Sequence, residues 1–559
     1  MKFVKCLVLF VLLGSSHLYA DEIQCNPGFI PAEGSYPFTK YANRHYEIGG
    51  APKISGIHVS NLEVFDEENP REDNAIYRFL NKVHIETKPD LIDNLLLFEE
   101  GEVFDQRIMD ESARLLRDQD FLYDADIRPV SLCGDEVELE VVTRDTWSLT
   151  IDASFDRSGG ENNFGIGVRE ANLMGRGTQL SIKAEQDLDR DSVEFAYKDD
   201  NIGNSRIKTR VRYTDSDDGS EEHLLLELPF YSLDSTNAWT VSLKNTDQVD
   251  TQFFRGDDVS EVQHEIENYR VAYGFSKGLQ DGVARRWYLG WWFRTDEFSE
   301  ADELPPPTPF PMSKELSFPY IEYSAIEDDY VERVNVNQFE RIEDLHVGRS
   351  WYTRMGYSSD AYGGDEDRFV IEGAFRDTLL ASQRHIFQHE LEFSGLHNFD
   401  TDEVEDVILN YHMQYIIYPS KYRSYLLDFR SVYTKNLNTN AQVVMGGENF
   451  MRAFDNRFQV GDRSVALNLE RRTFTDIHLF NLIRVGWAFF VDVGRAWDPD
   501  VETDFEDEYL VDAGFGLRLA SSKSDAGRFL HIDIAFPLTN RNDPDVESSL
   551  ISVRLEDRF

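Results

Sequence analysis

Cysteine, basic charge and long apolar runs are all scarce in this chain of 559 residues. It has three cysteines, 56 Lys and Arg against 103 Asp and Glu, and one long apolar run, at the extreme N-terminus. Each scarcity excludes something. Three cysteines cannot build a disulfide-dense scaffold. A formal charge of −47 repels nucleic acid and anionic headgroups, so no nucleic-acid partner is expected. A mean hydropathy of −0.46 with a single apolar run excludes a helical membrane protein. Hydrophobic residues nevertheless reach 41% and aromatics 13%, which is the composition of a folding chain.

The apolar run, in residues 1–20, follows Lys2 and Lys5 and ends at Ala20. It is too short to span a bilayer and reads as a secretory signal peptide. No small-residue lipid-attachment pattern precedes Cys25, so no lipid anchor is expected. Removing the peptide takes Cys6 away and leaves Cys25 and Cys133 in a compartment that permits disulfides. A bridge between those two is expected, the alternative being two unpaired thiols. On the chain-entropy account it would contribute roughly 4 to 5 kcal/mol.

Residues 21–52 are rich in Pro and Gly and form an N-terminal extended segment. Residues 53–146 read as a small mixed α/β domain. β-branched residues alternate over 53–65, and Ile108, Ala113, Leu115 and Leu116 have helix-like spacing. Strand formers fill 125–131 and 137–144 on either side of a Cys133-Gly134-Asp135 turn.

From Trp147 to the C-terminus no helix pattern is found and period-two alternation recurs. Val485, Trp487, Phe489 and Val491 alternate with Gly486, Ala488, Phe490 and Asp492; Val465, Leu467 and Leu469 alternate with Ala466, Asn468 and Glu470. Ile532, Ile534 and Phe536 are interleaved with His531, Asp533 and Ala535. A soluble sandwich would show the same alternation. Aromatic clusters such as Trp287, Tyr288, Trp291 and Trp292, short turns alternating with longer acidic loops, and a last strand carrying Ile551, Val553, Leu555 and Phe559 in one register favour a transmembrane β-barrel. A terminal strand that closes on an aromatic residue resembles the C-terminal assembly signal of bacterial outer-membrane barrels.

Four further motifs and the domain before Trp147 carry a family resemblance. The segment Gly446-Gly447-Glu448-Asn449-Phe450-Met451-Arg452-Ala453-Phe454 resembles the lid-loop motif of the bacterial surface antigen superfamily, with Ala453 in place of the usual Gly. Phe490, Asp492 and Gly494 match its Phe-x-Asp-x-Gly strand motif. Asn172 to Gly177 and Gly514 to Leu519 resemble an early strand-turn and a late strand of these barrels, and residues 53–146 resemble one polypeptide-transport-associated (POTRA) domain. The fold expected is thus an all-β transmembrane antiparallel β-barrel over 147–559, with a lid near 446–462, preceded by a small α/β periplasmic domain. About twenty alternating segments can be marked where roughly 9 to 11 residues suffice to cross. Resemblance prefers about sixteen strands, with twenty as the upper bound and hairpins inside loops, above all between Ser317 and Ser358, making up the difference.

On its strand Asp492 shares a face with Ala488 and Phe490, opposite the apolar face, so it points into the lumen. Arg452, on a long loop, is a ready partner for a bidentate, charge-assisted contact with Asp492 that pins the lid inside the barrel, the alternative being an exposed loop cation and a solvated lumen carboxylate. That role is structural, and no catalytic residue, cofactor or metal site is expected. The acidic runs at 187–191, 215–218, 365–367, 400–403 and 498–508 lack the ligand order of a calcium loop and read as hydrating charge. The competing reading has divalent cations bridging them to lipopolysaccharide. His385 and His389 would stand roughly 13 Å apart on a strand, too far to share a metal. Arg255-Gly256-Asp257 is too short to signify adhesion. No Gly-x-Ser-x-Gly elbow is present, so a fused lipase is not expected.

The resemblance implies a Gram-negative outer-membrane protein that receives unfolded client outer-membrane or secreted proteins through its periplasmic domain and inserts or translocates them. Membrane lipid, lipopolysaccharide and accessory periplasmic or lipoprotein subunits are the other partners implied. A dedicated two-partner secretion transporter, and a passive pore or structural surface antigen, are the alternatives.

Overall fold

The computed structural model describes residues 31–556, except 35, 47, 71, 335, 337, 339, 340, 383, 421, 481, 500, 502–507 and 524–528. The segment expected to be a signal peptide, Cys25 and Phe559 lie outside the described residues. Cys133 is disulfide-bonded.

The N-terminal module runs β1 (Lys53–Leu62), α1 (Ala75–Val83), α2 (Pro89–Leu95), α3 (Gln106–Arg117), β2 (Leu122–Cys133), β3 (Glu136–Asp145). Its sheet has the order β1-β3-β2, with β1 parallel and β2 antiparallel to the central β3. Asp105 caps α3 by accepting from the Arg107 N–H, and Gly134, at φ +64°, turns β2 into β3. Met109, Ala113 and Leu116 lie on one face of α3 and are buried against Ile54, Leu122, Val137 and Leu139. Each large side chain buried this way contributes roughly 1.5 to 3 kcal/mol. Neither α1 nor α2 is legible in the sequence. Ile76, Tyr77, Phe79, Leu80 and Val83 do share one side of α1, but that helix spans only nine residues and α2 only seven, too short for the periodicity to stand out.

Twenty antiparallel strands, from Leu149–Ser158 to Leu550–Glu556, then close into a barrel. The preference for sixteen is corrected here. Apart from the two short pairs Tyr330–Val334 with Ile342–His346 and Val443–Met445 with Gln459–Gly461, every strand after the module belongs to the wall. The segments marked by alternation were therefore wall strands, because only a residue pattern with one dry and one wet face repeats with period two. On Ile483–Trp497 the outward Trp487 and Phe489 are 41% and 51% exposed, whereas the inward Ala488, Phe490 and Asp492 are buried. No helix among the described residues is long and apolar enough to cross a membrane.

The module covers one mouth of the barrel. Asn172, buried near the end of the second barrel strand (Glu161–Leu173), donates to Thr87 Oγ1 at 2.8 Å, and in the turn that follows the Gly175 carbonyl accepts from the Lys88 N–H at 3.0 Å. A Cβ at Gly175 would stand 2.3 Å from the Glu86 carbonyl oxygen and one at Gly177 2.5 Å from the Phe121 ring. The glycines of this turn thus allow the module to dock. The hairpin Tyr330–His346, inserted between two wall strands at the same mouth, completes the joint. Arg117 of α3 makes a fork on Asp344 at 2.6 and 2.7 Å and reaches Glu332 at 2.7 Å. Ile342 packs with Phe38, Leu62 and Val142. Long connections such as 301–313 and 436–462 gather at the opposite mouth, with the acidic runs.

Candidate functional site

After the strand Arg423–Lys435 the chain leaves the wall for residues 436–462 and folds into the lumen. The short pair Val443–Met445 with Gln459–Gly461 braces this excursion. Met451, Ala453, Phe454 and Phe458 are buried among Met445, Ala466, Phe490 and Leu510, and the Phe454 and Phe458 ring centroids are 5.5 Å apart. This apolar plug fixes where Arg452, the residue between Met451 and Ala453, must point.

The Arg452 guanidinium sits over the Phe490 ring, 3.8 Å from its centroid, and fans out to three carboxylates on three strands. Nη2 is 3.1 Å from Glu470, Nε 3.4 Å from Asp492 and Nη1 3.4 Å from Asp533. The Ala453 N–H donates to Asp512 at 3.2 Å, and Asn468 donates to Asp492. Arg472 lies 3.1 Å from Glu470, and Arg518, fully buried, bonds Asp533. Three guanidiniums are thus packed against four carboxylates, one of which, Asp512, is also held by the lid backbone. The cation-over-ring contact adds roughly 0.5 to 2 kcal/mol at a desolvated site.

The small residues of the motifs have steric reasons. A Cβ on Gly494 would stand 2.6 Å from the Met445 sulfur and 2.9 Å from that of Met451, so only glycine lets the lid methionines lie on the wall. A Cβ on Gly514 would strike the Phe490 ring at 2.4 Å, and one on Gly516 would fall 1.6 Å from Asp533 Oδ1. Asp492 and Arg452 are placed together, but Arg452 makes a star of single contacts and no fork on Asp492. Glu470, Asp533, Asp512 and Arg518 belong to the same cluster and were not singled out from sequence. Their signal was present: each occupies an inward position of an alternating strand, and charge on an inward face needs a partner.

The lid also touches the place where the barrel closes. The Asn456 amide donates to the Ser158 carbonyl at 2.8 Å, at the end of the first strand, and its oxygen accepts from the Glu448 N–H at 2.8 Å. A Cβ on Gly159 would meet the Asn456 nitrogen at 2.2 Å. The first and last strands pair at Val553↔Arg157 alone among the described residues, whereas Asn237–Phe254 and Asp257–Gln280 pair over their whole shared length. On the last strand Ile551 and Leu555 face outward at 50% and 47% exposure, and Val553 lies between them on the same face.

Beside the lid runs a cavity of about 720 Å³ lined by charged and polar groups, among them Glu390, Glu392, His412, Arg430, Arg472 and Arg554. Among the described residues no three acidic, His or Cys side chains are placed to hold a metal ion. His385 and His389 have separate partners, Tyr415 and Asp377, and Arg255 pairs with Asp543 and Asp545.

No protein-family model matches the chain, and no curated protein matches it. Solved structures similar to it include BamA from Haemophilus ducreyi lacking POTRA domains 1–3, at 11% identity and a TM-score of 0.39, with 91% of this chain and 85% of that chain covered. CdiB from Acinetobacter baumannii is similar at 11% identity and 0.43, covering 90% and 73%. CdiB from Escherichia coli is similar at 10% identity and 0.35, covering 91% of each. With every TM-score here below 0.5, fold and function rest on the strands and side chains themselves.

Proposed function

We propose that this protein is an outer-membrane barrel of the bacterial surface antigen superfamily that receives unfolded client polypeptides at its periplasmic module and moves them into or across the membrane. The observation that carries this reading is the seam: among the described residues the first and last strands are joined at one pair, Val553 with Arg157, whereas Asn237–Phe254 and Asp257–Gln280 pair over their whole shared length. An edge so weakly paired is a template for another strand. The apolar exterior and polar lumen supply the membrane setting, since only closed barrels and helices satisfy every backbone group in lipid.

The module acts as a POTRA-like receiver, adding a client strand to a free sheet edge. Its edges are β1 and β2. Carbonyls of β2, at Leu122 and Ala125, are already taken by Arg341 and Arg117, so β1 beyond Gly56 is the edge offered. The lid, pinned by Arg452 and touching Ser158 through Asn456, holds the seam in its closed register. No bond-making chemistry is assigned.

The test is photo-crosslinking in cells, with probes in β1, in β2 and in the last strand, followed by identification of trapped proteins. Nascent barrels trapped at the module and the seam support insertion. A single secreted protein trapped at the module alone points to dedicated export. No client at any position, with conductance indifferent to Arg452→Ala, leaves a passive pore or a structural antigen and overturns the proposal.

A further inference from the structure

Helix α1 carries the most exposed apolar surface of the module. Ile76, Phe79 and Val83 are 69%, 60% and 50% exposed. Their spacing puts them on one stripe, beside the face on which Tyr77 and Asn81 are buried. Exposed Arg78 and Lys82 flank the stripe on its other side. A folded module gains nothing by presenting such a stripe to water.

The stripe does not stand alone. The Tyr77 hydroxyl donates to the Phe480 carbonyl at 2.6 Å, and Leu482 and Trp147 pack against the cluster of Val64, Phe65 and Tyr77. This ties the helix to a barrel turn whose own side chains are exposed: Phe480 at 83%, Ile477 at 48%, Leu479 at 44% and Ile483 at 37%. Phe480 sits at φ +52°, a conformation unfavourable for a bulky residue, so the turn tolerates backbone strain at the position that presents this ring. From Ile483 the outward face continues through Trp487 and Phe489 to Val491, about 26 Å along the strand. At a strand tilt of about 35–45° this covers roughly 18 to 21 Å of height, most of the roughly 25 Å apolar band of a membrane barrel. The helix therefore lies at the lower border of that band.

We propose that α1 is an interfacial helix: Ile76, Phe79 and Val83, together with Phe480, seat in the phospholipid leaflet on the module's side, with Arg78 and Lys82 at the headgroups. An apolar stripe bordered by basic residues is the pattern of helices that lie in the plane of a membrane surface. Lys82 offsets locally the repulsion that the acidic protein exerts on anionic headgroups, and Arg78, which pairs with the exposed Asp73, does so by exchanging that carboxylate for a headgroup phosphate. The seat sets the height and tilt of the module below the barrel mouth, and so where β1 meets a client. It rests on the reading of the barrel as membrane-spanning.

The test uses the full chain in vesicles of phosphatidylethanolamine and phosphatidylglycerol. A nitroxide is attached at Phe79→Cys, at Phe489→Cys in the barrel belt, or at Glu136→Cys on the exposed start of β3, and its accessibility to oxygen and to a water-soluble nickel chelate is measured. The expected result is an oxygen-to-nickel ratio at Phe79 close to that at Phe489 and severalfold above that at Glu136. Water-like accessibility at Phe79 with lipid-like accessibility at Phe489 overturns the inference while leaving the barrel reading intact. Water-like accessibility at both overturns both. A label at Phe79 shielded from oxygen and nickel alike reports a protein contact and also overturns it.

Discussion

Arg117 and Arg452 each fasten a segment to something outside it, and they do so differently. Arg117 joins the module to the hairpin with a fork on Asp344 at 2.6 and 2.7 Å and a further bond to Glu332. Arg452 joins the lid to the wall through single contacts of 3.1 to 3.4 Å to three carboxylates on three strands. A fork requires a planar donor in one orientation, whereas a ring of separate carboxylates asks mainly for positive charge at its centre. The first is a rigid joint. The second is a pin whose contacts can be exchanged one at a time, which suits a lid beside a seam.

The largest expected effect comes from removing the pin. Arg452→Ala leaves Glu470, Asp492 and Asp533 buried with one guanidinium fewer among them, and deleting one partner of a buried charge cluster costs about 3 to 5 kcal/mol. The midpoint of urea unfolding in detergent should fall accordingly, and a cysteine placed at Ala453, buried in the native lid, should become reactive to a water-soluble maleimide. An unchanged midpoint with a protected Ala453 position would mean that the apolar plug of Met451, Phe454 and Phe458 holds the lid unaided.

Much of this was visible in the sequence, and the limits have physical causes. Alternation marks strands wherever one face is dry and the other wet, so Val485 to Val491 and Ile532 to Phe536 could be read residue by residue. The strand number was misjudged because resemblance was allowed to outweigh that alternation. The pairing of Arg452 with Asp492 came from a motif, but Glu470 and Asp533 meet the same guanidinium only because the stagger of neighbouring strands brings positions 63 residues apart to one level, and stagger leaves no mark in a linear pattern. Asn456 was missed for another reason. An amide in a loop is unremarkable until its Ser158 partner is seen.

Conservative replacements sharpen the comparison. Lysine supplies charge without a fork, so Arg117→Lys should recover little of what Arg117→Ala loses, about 2 to 4 kcal/mol of the joint, while Arg452→Lys should recover more than half of the loss at the lid. Amide exchange read at Ile342–His346 for the first pair and at Val443–Met445 for the second would measure both. Equal recovery at the two sites would erase the distinction between joint and pin.

A smaller effect is expected from pH, and at the joint. Asp124, buried in β2 next to Ala125, has its carboxyl pushed up to about 7 by burial, which Arg117, Arg341 and the Ala125 N–H counter only in part. The folded module therefore holds this proton to higher pH than the unfolded chain does. Its contribution to stability is present in full below about pH 4 and is lost as pH rises through about 7. Amide protection in β2 should fall between about pH 4 and 7 and level off above, and Asp124→Asn should flatten that slope and raise protection at pH 8 by about 1 to 2 kcal/mol. A slope that survives the substitution would assign it to another group, with Asp110, raised to about 6 by burial, the next to examine.

The finest test separates lid from seam. Asn456→Ala removes one buried amide that donates to Ser158 and leaves the Arg452 cluster untouched, a loss of about 1 kcal/mol. Spread over the whole barrel that loss is negligible, but it falls on the end of a strand that, among the described residues, pairs across the seam at Arg157 with Val553 alone. Exchange of the amides of Leu149–Ser158 should quicken while those of Asp257–Gln280, in the long ladder, stay unchanged. Quickening confined to the lid itself would show that the two are neighbours without being coupled, and the weak pairing of the seam would then have to stand on the first and last strands alone.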